Sequence, residues 1–352
     1  QNAMRLLGNL NYNLLMISEE LNISPAQLNR YIDSYITIPP RPLPECLGID
    51  ELHSHELSRK NASYLCILVD NERRTVWDVL DSRSKMVLSL FCSRIPRDER
   101  LRVKYVTIDM WEAYKDVAKT YFPNCIVAVD PFHVIKHLQS DFNRLRVDLM
   151  NKCPYGSNSY YLLKKWSWLL MKDNVNLDNE KVYNSRFKMK LNRRDLRGMI
   201  FSAFPELSAA YDLKELYRRM NRDCSYDEAA ALYDDVLGAF RSSGIHQYNE
   251  FTEILMNWKA EILNSYLRPY DDRKLSNAFT ENVNGKLCTY LSVSRGISNF
   301  SRFRKRVLYA LSKDVQYALS SSLSSDSISR KKRGPYNKIH DCSIQKALQA
   351  YA

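Results

Sequence analysis

Val103-Lys104-Tyr105-Val106-Thr107-Ile108-Asp109 is a β-branched, aromatic run that stops on a carboxylate, and its reading as a strand decides the fold. Working back, Cys46-Leu47-Gly48-Ile49-Asp50 repeats the pattern. Residues 64–69 and 75–80 read as two further strands, joined as a hairpin by Asp70-Asn71-Glu72-Arg73-Arg74. Residues 85–95 and 112–122 have helical periodicity, and 126–129 is a fifth strand. The predicted order is β-β-β-α-β-α-β. An antiparallel meander followed by two helix crossovers makes strands 1, 4 and 5 parallel neighbours. The fold class is therefore α/β with a mixed sheet.

On the N-terminal side, residues 11–36 read as two short helices with Leu14, Ile17, Leu21 and Ile23 as the first apolar set. Ser24-Pro25-Ala26-Gln27 then restarts the pattern: Ser24 can cap, Pro25 suits the first helical position, and Gln27 completes a capping box. Asn22 occupies the corner, where a left-handed residue is often needed. With Leu28 and Ile32 turned inward, Gln27, Asn29 and Arg30 face out, as in a helix-turn-helix whose second helix enters a major groove. Plain helical packing is the rival reading. Gln1-Asn2-Ala3-Met4 reads as a remnant ahead of a start methionine and is left out of the fold.

Ile38-Pro39-Pro40-Arg41-Pro42-Leu43-Pro44 is a proline-rich linker. Residues 132–272 are almost entirely helical in pattern, and helices resume at 278–291 and 300–319. A serine-rich stretch at 320–329 leads to a basic tail, Arg330-Lys331-Lys332-Arg333-Gly334-Pro335. The predicted organisation is a helix-turn-helix over 1–37, a linker over 38–45, and a core whose first part is 46–135. A helical insertion follows over 136–272, then the second part of the core over 273–319 and a tail over 320–352.

The 352 residues suffice for two or three domains, and 45% hydrophobic content is that of a globular protein. No apolar run is long enough to span a bilayer. Eight cysteines are scattered singly without a Cys-x-x-Cys pair, which argues against a tetrahedral zinc site and fits a reducing cytoplasm. The net charge is +12, and residues 273–338 carry 14 Lys/Arg against three acids. So local an excess points to a polyanion, most simply DNA or RNA.

Two aspartates on strand ends gain meaning from a third carboxylate, Glu281, in the helical stretch Thr280-Glu281-Asn282-Val283-Asn284-Gly285-Lys286. Magnesium prefers a few carboxylates plus substrate phosphates, and two such ions can serve both oxygens of a phosphoryl transfer. Asp50 and Asp109 end at the same sheet edge, and a helix crossing that edge can lower Glu281 between them. Read alone, either aspartate is an ordinary turn residue. Asp130-Pro131-Phe132-His133 follows strand 5, so Asp130 and His133 can orient the site, and Asp130 is also an alternative second member of the triad. A helix cap with solvated histidines is the plainer reading. A metal pair of His133 and His137 lacks further ligands nearby. His53 and His55 are assigned no chemistry.

These motifs resemble the ISL-three family of insertion-sequence transposases, which have a ribonuclease H-like domain with an Asp-Asp-Glu site. The resemblance runs from about Leu47 to Leu311. It rests on Gly48-Ile49-Asp50-Glu51, Val106-Thr107-Ile108-Asp109-Met110-Trp111, and Val129-Asp130-Pro131-Phe132-His133-Val134-Ile135. Ser276-Asn277 with Glu281, Asn284 and Lys286 belongs to it, as does Arg295-Gly296-Ile297-Ser298-Asn299-Phe300 leading into Phe303-Arg304-Lys305-Arg306-Val307-Leu308. Departures are Asn282 where the family has glycine, and no cysteine-rich zinc module ahead of the helices.

The resemblance implies Asp50, Asp109 and Glu281 as ligands of two Mg2+ (or Mn2+) ions and a helix-turn-helix ahead of the catalytic domain. The expected function is cleavage and strand transfer at an element's terminal inverted repeats by a dimer or larger synaptic assembly. Asn284, Lys286, Arg295, Arg302, Arg304, Arg306 and the tail residues Lys331, Lys332 and Arg333 are expected on DNA. The alternatives are a domesticated DNA-binding protein without catalysis, and a ribonuclease H-like nuclease.

Overall fold

The computed structural model describes residues 1–54, 57, 63–294 and 299–318, and residues 1–317 cluster as one unit. Five strands form the central sheet: β1 (Cys46–His53), β2 (Tyr64–Asp70), β3 (Thr75–Leu80), β4 (Tyr105–Ile108) and β5 (Ile126–Val129). Their order is β3-β2-β1-β4-β5. β1 pairs antiparallel with β2 and parallel with β4, and β4 pairs parallel with β5. The predicted element order and the parallel trio are both present, and this α/β arrangement is compatible with a ribonuclease H-like core. β1 runs three residues past Asp50 because β2 continues beside it through His53, whereas the ladder with β4 stops at Gly48.

Both sheet faces are covered. Ile49, Cys66, Leu68, Val106, Ile108, Val127 and Val129 point into one core with the helices that follow β5. Leu52, Leu65, Ile67, Val69, Val76 and Val79 point to the other face. The alternation is that of strands buried on both sides.

The second face is covered by the chain's two ends. From the front come α1 (Asn2–Leu7), α2 (Leu14–Leu21) and α3 (Pro25–Tyr35). Contrary to the sequence reading, the first residues are part of the fold: Ala3 and Met4 are buried in α1. Asn22 is left-handed at φ 52°, and Ser24 accepts from the Gln27 N–H. The Gln27 side chain accepts from Arg30 at 3.3 Å instead of closing a capping box. Leu28 and Ile32 are buried, Gln27 and Asn29 half-buried, and Arg30 exposed.

On the first face, α4 (Lys85–Ser93) and α5 (Glu112–Tyr121) serve the crossovers, and α6 (Pro131–Lys152) opens a long helical stretch. It continues as α7 (Asn158–Lys165), α8 (Arg193–Ala203), α9 (Pro205–Asp223), α10 (Tyr226–Ser242), α11 (Asn249–Asn257) and α12 (Lys259–Asn264). The sequence reading missed an antiparallel ribbon of Val182–Asn184 with Met189–Leu191 inside it. The chain returns to the sheet as α13 (Ala278–Val293) and α14 (Phe300–Leu311). The last predicted helix stops eight residues early, at Leu311, because Val315 is buried and Gln316–Tyr317 pairs with Ile36–Thr37.

Candidate active site

The site begins as a row of small residues. Gly48 on β1 is level with Thr107 on β4, which is level with Ala128 on β5. Continuing that register by two residues puts Asp50, Asp109 and Asp130 in the next row on the same face. It is the face opposite Ile49, Ile108 and Val129, and α13 packs against it.

Asn277 sits over the small row. Its side-chain amide donates to the carbonyls of Ile49 (3.0 Å) and Thr107 (3.4 Å), where the β1 and β4 ladder ends. Its backbone N–H donates to Asp130 Oδ1 at 3.0 Å, and its own Oδ1 accepts from Asn71 at 3.4 Å. Asn277 is 0% exposed. Gly48 makes the approach possible: a Cβ there would lie 2.8 Å from Asn277 Oδ1 and 2.5 Å from Val69 Cγ2. One asparagine thus ties three strand ends to the start of α13.

One helical turn further on, Glu281 comes down on the aspartates. Oxygens of Asp50 and Glu281 and a ring nitrogen of His133 lie within 4.8 Å of one another. His133, in the first turn of α6, places Nε2 3.3 Å from Glu281 Oε1 and 4.0 Å from Asp130 Oδ2. The 3.3 Å approach lacks hydrogen-bond alignment, so Nε2 remains a buried atom without a hydrogen-bond partner, as does Asp130 Oδ2. Asn284, one turn after Glu281, donates to Asp50 Oδ2 and the Glu51 carbonyl, each at 3.1 Å. Asp109 Oδ1 accepts from the Trp111 N–H at 3.2 Å. Beside it, Arg83 pairs with Glu51 and lies over the rings of Tyr64 and Trp111, 4.0 and 4.7 Å from their centroids.

Asp50 is 2% exposed. Burial pushes its carboxyl up to about 8, and the charges of Glu281, Asp109 and Asp130 push the same way against the Glu51 N–H. Burial and the Glu51 charge raise Asp109 to about 7, and burial with Glu281 raises Asp130 to about 6. Burial and then Lys136 hold His133 below its ordinary range, so its imidazole is neutral and a lone pair is available. Crowded carboxylates deprived of water, with inward atoms lacking donors, are what a bound cation satisfies. Oxygen ligands with one imidazole suit magnesium or manganese.

The sequence model of the ISL-three DDE family, described as a transposase, matches residues 47–307. The chain belongs to this transposase family. The curated transposase for insertion sequence element IS1001 of Bordetella parapertussis is 30% identical over 139 residues, 39% of this chain. The chain matches about a third of that relative's length, 33%. Membership implies use of a divalent metal. Among the described residues, no helix is long and apolar enough to cross a membrane.

The remaining candidates fall in different places. Lys286 is exposed on α13. Arg302 forms an exposed pair with Asp33 at 2.7 Å, and Arg304 grips the buried Asp78 with two bonds of 2.6 Å. Arg306 corrects the sequence reading. It is 1% exposed and donates to the carbonyls of Leu7, Asn9 and Tyr12 and to the Tyr290 hydroxyl, so it has no face left for a phosphate. Asn284 likewise spends its donor on Asp50 and Glu51. Arg295, Lys331, Lys332 and Arg333 lie outside the described residues. His137, one turn past His133, is outside the acidic group. Sequence reasoning gave no role to Asn277, Asn71 or Arg83. An asparagine one turn ahead of Glu281 was the only available signal.

Proposed function

We propose that this chain is a metal-dependent DNA transposase that cuts at the ends of an insertion sequence and joins the freed 3′ end to target DNA. The reading is carried by the convergence of Asp50, His133 and Glu281 within 4.8 Å, beside Asp109 and Asp130 in the same cross-strand row. Asp50, Asp109 and Glu281 hold the divalent ions, and Asp130 and His133 support them. Bound ions would supply positive charge at the scissile phosphate and lower the barrier to deprotonating the attacking oxygen. Asn284 orients Asp50. His133, neutral, would offer a ring nitrogen to the same ion as Asp50 and Glu281. Asn277 fixes the distance between α13 and the sheet, so the two sides of the site do not drift apart.

The N-terminal helices are the DNA reader in this proposal, with Gln27, Asn29 and Arg30 on its outer side. Lys286, Arg302, Arg304 and the basic residues 295 and 331–333 contact phosphates. The stretch 136–272 is a helical insertion between the two parts of a ribonuclease H-like core. The working form is a dimer or larger synaptic assembly in the cytoplasm, on DNA.

The test uses labelled duplex carrying the element's terminal inverted repeat. Wild type with Mg2+ or Mn2+ is expected to nick it and yield strand-transfer products. Asp50→Ala and Glu281→Ala are expected to bind it normally and lose at least 1,000-fold in cleavage (about 4 kcal/mol). Normal binding with no cleavage by any form favours a DNA-binding protein without catalysis. Nicks without joined products favour a nuclease.

A further inference from the structure

Charge is divided unevenly within the helical stretch. Residues 155–197 hold ten Lys/Arg against four Asp/Glu, a net +6, whereas residues 198–264 hold six against eleven, a net −5. The basic part surrounds a cleft of about 360 Å³ lined by Tyr161, Trp166, Trp168 and Tyr183, with Lys165 and Arg193 among them. Cations already lie over these rings. Lys165 is 5.3 Å from the Tyr161 centroid and 5.9 Å from that of Trp166, and Arg193 is 5.3 Å from that of Trp168. The two-stranded ribbon forms one wall. It leaves Val182 66%, Tyr183 61% and Met189 51% exposed, and Lys188 and Lys190 stand in solvent beside them.

A face kept only for solubility would not display aromatic and apolar side chains in the open. A second copy docking by two-fold symmetry would set +6 against +6. A polyanion with flat apolar faces satisfies both features at once. Duplex DNA keeps its base faces stacked, so the rings favour a strand whose bases are free.

We propose that residues 155–197 are a docking site for single-stranded DNA. The phosphate backbone runs along the ribbon bearing Lys188 and Lys190, and an unpaired base enters the cleft to stack on Trp168 and Tyr183. The choice of DNA over RNA rests on the transposase reading.

The test measures anisotropy of a labelled 20-nucleotide single strand and a duplex of equal length on the full chain in EDTA. Trp168→Ala and the exposed Tyr183→Ala are each expected to weaken single-strand binding roughly 5- to 100-fold and leave the duplex within about twofold. Lys188→Glu with Lys190→Glu is expected to weaken the single strand and lower its salt slope by about 1.4. Tyr183→Ala, on the surface, keeps the test valid if Trp168→Ala does not fold. Single-strand affinity within twofold of wild type in the foldable variants overturns the proposal. So does loss of self-association, read by sedimentation, with DNA binding intact. If that happens while Mg2+-dependent cleavage persists, the transposase reading stands without this site. If the binding pattern holds and wild type never cuts, the site stands and that reading falls.

Discussion

Asp50 shows how much one buried carboxylate controls. In the metal-free chain it titrates near 8 against an ordinary 3.8, so between those values the folded state keeps a proton that the unfolded state has lost. Stability therefore falls as pH rises through that window. Asp50→Asn removes its share: in EDTA, calorimetry is expected to show a melting point several degrees above wild type at pH 8.5 and no difference at pH 4. Mg2+ is expected to raise the wild-type melting point more at pH 8 than at pH 6, because the ion replaces the proton. Equal shifts at both pH values would contradict this account. Gly48 is the second decisive residue. Gly48→Ala forces a methyl into Val69, Asn277 and Asn71, at about 1–3 kcal/mol in urea denaturation. Asp50 was legible because an apolar run ending in acid is a sequence pattern. Gly48's role was not, because its constraint comes from residues 69, 71 and 277.

At the scale of elements, α13 brings Glu281 to the sheet, and α14 packs against it with Phe303 stacked on Tyr290. α14 presents three arginines whose fates differ although their spacing looked uniform. Arg302 stays at the surface, Arg304 neutralises the buried Asp78, and Arg306 closes on the end of α1. Arg306→Leu takes the side-chain donor from the carbonyls of Leu7 and Tyr12 and one of two donors from that of Asn9, and is expected to cost about 2–4 kcal/mol. Arg302→Ala, exposed and singly paired, is expected to cost under about 1 kcal/mol. Paired denaturation curves decide. A small Arg306 effect with a large loss of DNA binding would restore it to the phosphate contacts. The strands were readable because their alternation is local. The ribbon at 182–191 was not, since three-residue strands carry too little pattern to stand out among helices.

For the whole molecule, the described unit ends at Tyr317 and the basic tail lies beyond it. Removing residues 318–352 is expected to leave the melting point within about 2 °C of the full chain, because residues 1–317 cluster as a unit that holds the core of the described residues. Duplex affinity should fall and its salt slope shrink by about 4, the tail's net charge. Titration at three salt concentrations checks this, and an unchanged slope would remove the tail from the DNA contacts.

The sequence by itself determined the five strands of the central sheet, their order and the aspartate that closes each apolar run, since apolar alternation and the acids that follow it are local and strand order follows from connection rules. It also determined that Glu281 and His133 were candidates. Only the tertiary structure decided that His133 joins Asp50 and Glu281 in one cluster, that Asn277 fastens α13 to the sheet, and that Arg306 is a structural clamp rather than a surface charge. Each joins residues more than 80 positions apart. Burial and hydrogen-bond partners at that range are set by packing, which no window of sequence records.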